Sequence, residues 1–119
     1  PDLIISSPAN RAITTAHKIA EVIGYPKEKI LEDKLLYLAG VASVLSVIEK
    51  VDDRNSSLMI FGHNPGWTDF VNTASDRAID NLPTCGIVAI RFDMDSWKQI
   101  GKKKGNQIFF DYPKKEFSG

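Results

Sequence analysis

The sequence predicts an α/β domain built on a largely parallel β-sheet. Short apolar runs of the kind found in buried parallel strands alternate with segments whose apolar residues recur at helical spacing. The order along the chain is strand, helix, strand, helix, strand and helix, followed by two further strands. This alternation predicts a three-layer sandwich, with helices packed on a mostly parallel central sheet and a strand pair that closes it.

The first strand and the first helix have the clearest start and stop signals. Leu3-Ile4-Ile5 is a short apolar run, and Ser7 followed by Pro8 is typical of a helix start. Ser7 would act as the cap and Pro8 would occupy the first helical position. Apolar residues then recur at helical spacing up to Ile23, and Gly24 ends the helix.

The other predicted elements are, in order, a strand at 30–31, a helix over 41–50, a strand at 58–61, a helix over 67–74 and two strands at 86–92 and 107–112. The connection between the last two strands contains a triple lysine at 102–104, which we interpret as a solvated turn. No repeat, low-complexity tract or linker divides the chain, so we predict one domain over residues 1–119.

Composition excludes several classes of protein. Lys plus Arg and Asp plus Glu are both 15, so no net field attracts nucleic acid or a membrane surface. No apolar run approaches the roughly 20 residues needed to span a bilayer. The single cysteine, Cys85, excludes an internal disulfide framework and favours a reducing compartment. Two histidines and one cysteine form no zinc pattern, and no Walker or G-x-S-x-G motif is present. We expect a cytoplasmic domain, and we predict that it is a monomer.

Candidate site residues fall in two loops that follow predicted strands. In open α/β sheets, ligands bind beyond the carboxyl ends of the strands and often at helix N-termini. The two loops here cover residues 6–11 and 62–66. Arg11 falls in the first turn of its helix, where a cation is unfavourable by roughly 0.3–1 kcal/mol unless an anion docks there. The competing interpretation of Arg11 is a solvated surface arginine.

His63 follows the apolar strand at 58–61 and is flanked by Gly62 and Gly66, which permit close backbone approach and unusual dihedral angles. A histidine there can donate to an oxyanion or exchange a proton near neutral pH. The competing interpretation is a loop histidine hydrogen-bonded to a neighbour. The second histidine, His17, falls in the middle of the first helix beside Lys18, and we predict that it is a surface or boundary residue.

Four segments in the same order resemble the histidine phosphatase superfamily, which is phosphoglycerate mutase-like. The first covers residues 6–16, where Ser6-Ser7-Pro8-Ala9-Asn10-Arg11-Ala12 and Thr15-Ala16 resemble the motif S-S-P-x-x-R-A-x-x-T-A. Residues 62–66 resemble the second histidine motif of the branch that contains the SixA-type phosphohistidine phosphatases. Leu36-Tyr37 and residues 82–86 resemble the same branch. The resemblance covers almost the whole chain.

The resemblance implies a phosphate pocket of two arginines and two histidines, without a metal or an organic cofactor. In this superfamily the first histidine attacks phosphorus, and water then hydrolyses the phosphohistidine intermediate. Matched by motif, Arg11 and His63 correspond to the second arginine and the second histidine, which contact phosphoryl oxygens. Asn64 through its backbone N–H, and Ser7 by shaping the pocket, would be substrate-binding residues. The implied substrate is a protein phosphohistidine or a small phosphoryl ester.

One part of the superfamily pattern is missing. Its Arg-His-Gly-like motif, at the end of the first strand, matches nothing in this sequence. We therefore expect that the parent protein carries this strand, a helix and the nucleophile upstream, and that this chain alone is inactive. Some branches of the superfamily use a carboxylate between the two motifs as general acid, so the resemblance makes Glu32 or Asp33 a candidate by position. Two alternatives stay open: a non-catalytic phosphate-binding or regulatory domain, and an unrelated α/β domain in which Arg11 and His63 lie far apart.

Overall fold

A computed structural model describes residues 1–37, 40–83 and 86–112. The strands in these residues are β1 (Leu3–Ser6), β2 (Leu31–Glu32), β3 (Leu58–Phe61), β4 (Ile87–Arg91) and β5 (Asn106–Asp111). The α-helices are α1 (Asn10–Ile23), α2 (Val41–Glu49) and α3 (Gly66–Ala74). Single-turn 3₁₀ helices cover Lys27–Lys29, Lys34–Leu36 and Trp97–Gln99. The α/β class and the predicted order of elements are confirmed.

Three strands form a parallel sheet in the order β2-β1-β3. β1 pairs with β3 along its whole length, from Leu3 opposite Leu58 to Ser6 opposite Phe61. β1 also pairs with β2, where Ser6 lies opposite Glu32. Because the carboxyl ends of parallel strands meet at one edge of a sheet, the loops that follow β1, β2 and β3 begin side by side.

The two faces of β1 explain how the helices are distributed. Ile4 and Ile5 are both buried, and successive side chains of a strand point to opposite faces. Ile4 packs against Ala16 and Ala20 of α1, whose small side chains let the helix approach the sheet closely. Ile5 belongs to a second cluster that includes Val44, Val47 and Ile48 of α2 and Phe70 and Ala74 of α3. One face of the sheet is therefore covered by α1 and the other by α2 and α3.

β4 and β5 form an antiparallel sheet of their own, from Ile87 opposite Asp111 to Arg91 opposite Asn106. A parallel bridge between Ser75 and Gly105 ties this pair to the end of α3. The predicted strand pair is present, but within the described residues it forms a separate sheet and does not extend the parallel one.

The start of α1 differs from the prediction. The backbone N–H of Ser7 donates to the carbonyl of Phe61, at 2.9 Å, so Ser7 extends the ladder of β1. The N-cap is Ala9, which has no capping side chain, and Pro8 therefore lies before the helix. The predicted end is correct, because Gly24 adopts a left-handed conformation with φ of 78° and its N–H donates to Ala20.

Two surface features bear on partners. Within residues 1–37, 40–83 and 86–112, no helix is long and apolar enough to cross a membrane. The lysines at 102–104 are exposed, as predicted, beside a cleft of about 190 Å³ that is also lined by Leu45, Ala74 and Ile100. His63 precedes α3 and Ala74 ends it, so this cleft is separated from His63 by the length of α3, about 13 Å for nine residues.

Candidate functional site

The candidate site lies where the three parallel strands end. Ser7 follows β1, Asp33 follows β2, and His63 comes two residues after β3. Backbone hydrogen bonds continue past the strands: Ser7 N–H donates to Phe61, and Asp33 N–H donates to Ser6 at 3.0 Å. The two loops singled out in the sequence are therefore neighbours at one edge of the sheet.

Ser7 and His63 are in direct contact. The Nε2 atom of His63 lies 2.9 Å from the Oγ atom of Ser7, across 56 residues of sequence. Ser7 is completely buried, and its Oγ also accepts the backbone N–H of Ala9 at 3.2 Å. The hydroxyl of Ser6 donates to the Ser7 carbonyl at 2.8 Å, which fixes the same turn. The half-buried imidazole is thus held by a buried hydroxyl from the other candidate loop.

Tyr37 holds His63 from a second side. The two ring centroids are 5.9 Å apart and the ring planes are inclined at 76°, an edge-to-face arrangement. Aromatic pairs of this kind contribute about 0.5–1.5 kcal/mol. Tyr37 is 56% exposed and follows Leu36, whose burial anchors the 3₁₀ helix that precedes it. The sequence marks Tyr37 only through a resemblance, and nothing in its spacing from His63 predicts the contact.

Arg11 lies in the first turn of α1, at the same edge of the sheet as His63. Its carbonyl accepts the hydroxyl of Thr15 at 2.9 Å, and the residue is exposed. No hydrogen bond or ion pair joins its guanidinium to any residue in the described part of the chain. Arg11 lies four residues after Ser7 in the sequence, and within the described residues no direct bond joins it to the Ser7–His63 pair.

Gly62 is required by close packing. A Cβ atom at this position would lie 2.6 to 2.8 Å from the Nε1, Cε2 and Cζ2 atoms of Trp67, closer than real contacts allow. The prediction of close approach is therefore confirmed at Gly62. The dihedral freedom of glycine is not used at Gly62, since Gly24 is the glycine with positive φ among the described residues.

The side chain of Asn64 supports the loop that carries His63. Its Oδ1 accepts the backbone N–H and the hydroxyl of Thr68, at 3.1 and 2.8 Å, and its Nδ2 donates to the carbonyl of Leu82. The Asn64–Pro65 peptide bond is cis. The backbone N–H of Asn64, predicted as a binding group, makes no hydrogen bond within the described residues.

A polar row along α3 extends this network. Asn64, Thr68 and Asn72 recur every four residues and therefore lie on one side of the helix and its entry. The Thr68 hydroxyl accepts the N–H of Leu82 at 3.0 Å, and Asn72 bonds both the N–H and the carbonyl of Ile79, at 2.7 and 3.0 Å. The segment 79–82 is thereby fixed against α3. Of the segment 82–86 in the family resemblance, residues 84 and 85 lie outside the described part of the chain.

The candidate acids lie at the same edge, on the β2 side of β1. Two strand spacings of about 4.8 Å separate β2 from β3, so Glu32 and Asp33 are roughly 10 Å from the strand that leads to His63. The Asp33 carboxylate accepts the N–H of Leu35 at 2.9 Å and caps a 3₁₀ helix. Glu32 is exposed. His17 is also exposed, in the middle of α1, as predicted.

Several polar groups of the two candidate loops suit an anion better than a cation. Within the described ranges, no group of three or more His, Cys, Asp or Glu side chains could hold a metal ion. The imidazole of His63, the guanidinium of Arg11 and the backbone N–H of Asn64 are all potential donors to an anion. Comparisons of the chain with protein-family models, curated proteins and solved structures found no match.

Proposed function

We propose that this chain is the greater part of a phosphoglycerate mutase-like domain of the histidine phosphatase superfamily, and that the complete protein is a phosphohistidine phosphatase. The observation that carries the proposal is the hydrogen bond between Ser7 and His63. These residues belong to the two motifs with the strongest family resemblance, and they are in contact although 56 residues separate them. Parallel pairing of β1 with β3 brings the two loops to one edge of the sheet, and the hydrogen bond joins the motif residues themselves.

In the proposed reaction, a histidine supplied from outside this sequence attacks phosphorus. The bond from phosphorus to the leaving group breaks, a phosphohistidine forms, and water then cleaves the P–N bond and releases inorganic phosphate. Arg11 and His63 would hold phosphoryl oxygens and stabilise the charge that develops on them. A phosphohistidine leaving group needs little protonation, so the reaction does not depend on Glu32 or Asp33.

The nucleophile requires an additional strand, and β3 offers an edge for it. All four residues of β3 are apolar and half-buried, yet within the described residues β3 pairs only with β1. A parallel strand added to the outer edge of β3 would end beside His63, where a nucleophile is needed. This arrangement supports the finer proposal of a phosphoglycerate mutase-like sheet whose first strand and helix lie outside this sequence.

We propose a phosphoryl group carried by a protein as the substrate. His63 is half-buried, whereas Arg11 and Tyr37 are exposed. A phosphoryl group carried on a large protein can therefore reach these side chains. The alternative is a non-catalytic phosphate-binding or regulatory domain of the same fold. It is favoured by one observation, the absence of an Arg-His motif from the sequence.

Turnover of a phosphohistidine-containing protein tests the proposal. We expect the complete parent protein to release phosphate from it faster than from small phosphate esters, and the 119-residue chain to release none. In the parent protein, His63→Ala should lower turnover by about 10²–10³-fold, the usual effect of removing one transition-state donor. His17→Ala is the matched control and should change turnover less than twofold.

Activity of the 119-residue chain alone would contradict the proposed mechanism, as would equal and mild effects of the two histidine substitutions. An inactive parent protein that still binds inorganic phosphate would favour the non-catalytic alternative.

A further inference from the structure

We infer that Ser7 is a positioning residue that fixes the tautomer of His63. Its buried hydroxyl donates to Nε2, so the neutral imidazole carries its proton on Nδ1. A second step rests on the proposed function: Nδ1–H is then the donor that His63 offers to a phosphoryl oxygen. The first step concerns only the geometry of the two side chains and stands independently of any activity.

The hydroxyl of Ser7 has one hydrogen, which needs a hydrogen-bond acceptor. Ser7 is completely buried, so water cannot accept it. The Oγ atom already accepts the N–H of Ala9, and the hydroxyl of Ser6 is directed to the Ser7 carbonyl rather than to Oγ. Within the described residues, the remaining hydrogen-bond partner of Oγ is the Nε2 atom of His63, at 2.9 Å.

The direction of the Ser7–His63 hydrogen bond follows because the opposite direction would leave one hydrogen without an acceptor. If Nε2 carried a proton and donated it to Oγ, the hydroxyl hydrogen of Ser7 would be buried without an acceptor. Such unsatisfied donors are costly and rare in folded proteins. Donation from Ser7 to Nε2 satisfies both groups, and the hydrogen bond at one ring nitrogen sets the proton on the other.

The Nδ1 atom is then the ring nitrogen open to a ligand. It makes no hydrogen bond to any residue in the described part of the chain, and Tyr37 packs against the ring in an edge-to-face arrangement. Nδ1 is the ring nitrogen nearer the main chain, so an acceptor bound there approaches the 62–66 loop. The backbone N–H of Asn64, which also has no partner within the described residues, lies in that loop.

Nitrogen-15 NMR of the labelled 119-residue chain tests the tautomer directly. Long-range correlations from the ring protons distinguish a protonated ring nitrogen from a bare one. The spectrum is recorded near pH 8.5, where an ordinary imidazole of pKa about 6.5 is neutral. The chain has two histidines, so exposed His17 is the internal reference, assigned with a His17→Gln variant.

We expect His63 to have a protonated Nδ1 and a bare Nε2. The Ser7→Ala variant should shift His63 to a mixture of tautomers, and Ser7→Thr, which keeps the hydroxyl, should restore the fixed form. A protonated Nε2 in the unsubstituted chain would overturn the inference. Because that spectrum decides the tautomer by itself, the test holds even if a substitution at buried Ser7 prevents folding.

Adding inorganic phosphate to the labelled parent protein separates this inference from the proposed function. We expect the Nδ1 resonance of His63 to shift while both ring nitrogens of His17 stay unchanged. A fixed Nδ1–H tautomer with no response to phosphate would support the positioning role of Ser7 and count against the phosphatase. A response centred on Nε2 would contradict the proposed donor.

Discussion

The Oγ atom of Ser7 and the Nε2 atom of His63 lie 2.9 Å apart, and the parallel pairing of β1 with β3 produces this contact. The register ends with Ser6 opposite Phe61, so the residues that follow emerge together at the carboxyl edge of the sheet. Ser7 is the first residue beyond β1, and His63 is the second beyond β3. Each step of the proposed function depends on this meeting of two loops.

The role of Arg11 predicts a loss of phosphate affinity on truncation. A hydrogen bond to a charged group contributes about 1.5–3 kcal/mol, and each 1.4 kcal/mol is tenfold in affinity. We therefore expect Arg11→Ala to weaken binding of inorganic phosphate by about 10- to 100-fold in calorimetric titration. Lys18→Ala removes an exposed cation further along α1 and should change affinity less than twofold. Equal losses in the two variants would contradict a specific role for Arg11.

Because Trp67 packs on Gly62, we predict that adding even a methyl group at position 62 destabilises the fold. Overpacking costs about 1–3 kcal/mol, so Gly62→Ala should lower the free energy of unfolding by that amount in urea denaturation. Gly101→Ala is the matched control, because its added Cβ would meet only Cδ1 of Leu45, at an ordinary 3.7 Å. If both variants are equally stable, the indole does not pack on Gly62 as described.

The hydroxyl of Thr68 links Asn64 to Leu82 and should contribute to stability. Thr68→Val keeps the shape of the side chain but leaves the N–H of Leu82 without its acceptor. An unsatisfied partly buried donor costs about 1–3 kcal/mol, which we expect as the loss in free energy of unfolding. Thr73→Val changes an exposed threonine of the same helix and is the control. Identical losses would argue against the network.

Two exposed carboxylates should make stability depend on pH. The backbone N–H of Trp97, followed by the hydroxyl of Ser96, lowers the pKa of Asp53 below its ordinary value of 3.8. The backbone N–H of Gln107 is the main cause that lowers the pKa of Asp76. A carboxylate with a lowered pKa in the folded state stabilises the fold above about 3.8 and loses this contribution as pH falls through its folded pKa.

The free energy of unfolding should therefore fall as the pH is lowered from about 5 through 3.8 and below. The double variant Asp53→Asn with Asp76→Asn should show a flatter profile, measured by urea denaturation at each pH. Asp95→Asn is a control whose carboxylate accepts no hydrogen bond within the described residues. A double variant with an unchanged slope would contradict the contribution of these two groups.

Most of the fold is predictable from sequence because local patterns decide it. The apolar run at β3, the helical spacing in α1 and the stop at Gly24 are each contained in a few residues. The start of α1 cannot be predicted from local residues in this way, because pairing with β3 draws Ser7 into the strand ladder. The separation of β4 and β5 from the parallel sheet likewise depends on tertiary pairing, which no local pattern determines.

Some features of the candidate site are likewise predictable from sequence, and others are not. Its two loops are predictable, because turns after parallel strands are recognisable and parallel strands end at one edge. The contact of Tyr37 with His63, and the use of the Asn64 side chain for Thr68 and Leu82, depend on how separate segments pack. The four-residue spacing of polar residues along α3 is the one sequence signal that could have indicated the second network.

The most direct test is a titration of the nitrogen-15-labelled parent protein with inorganic phosphate, followed at the side chains of Arg11 and His63. If both hold one phosphoryl group, their resonances should shift together and saturate with a single dissociation constant, while those of His17 and the lysines at 102–104 stay unchanged. An absence of saturable shifts at Arg11 and His63, or shifts confined to the lysine turn, would contradict a phosphoryl site at this edge of the sheet.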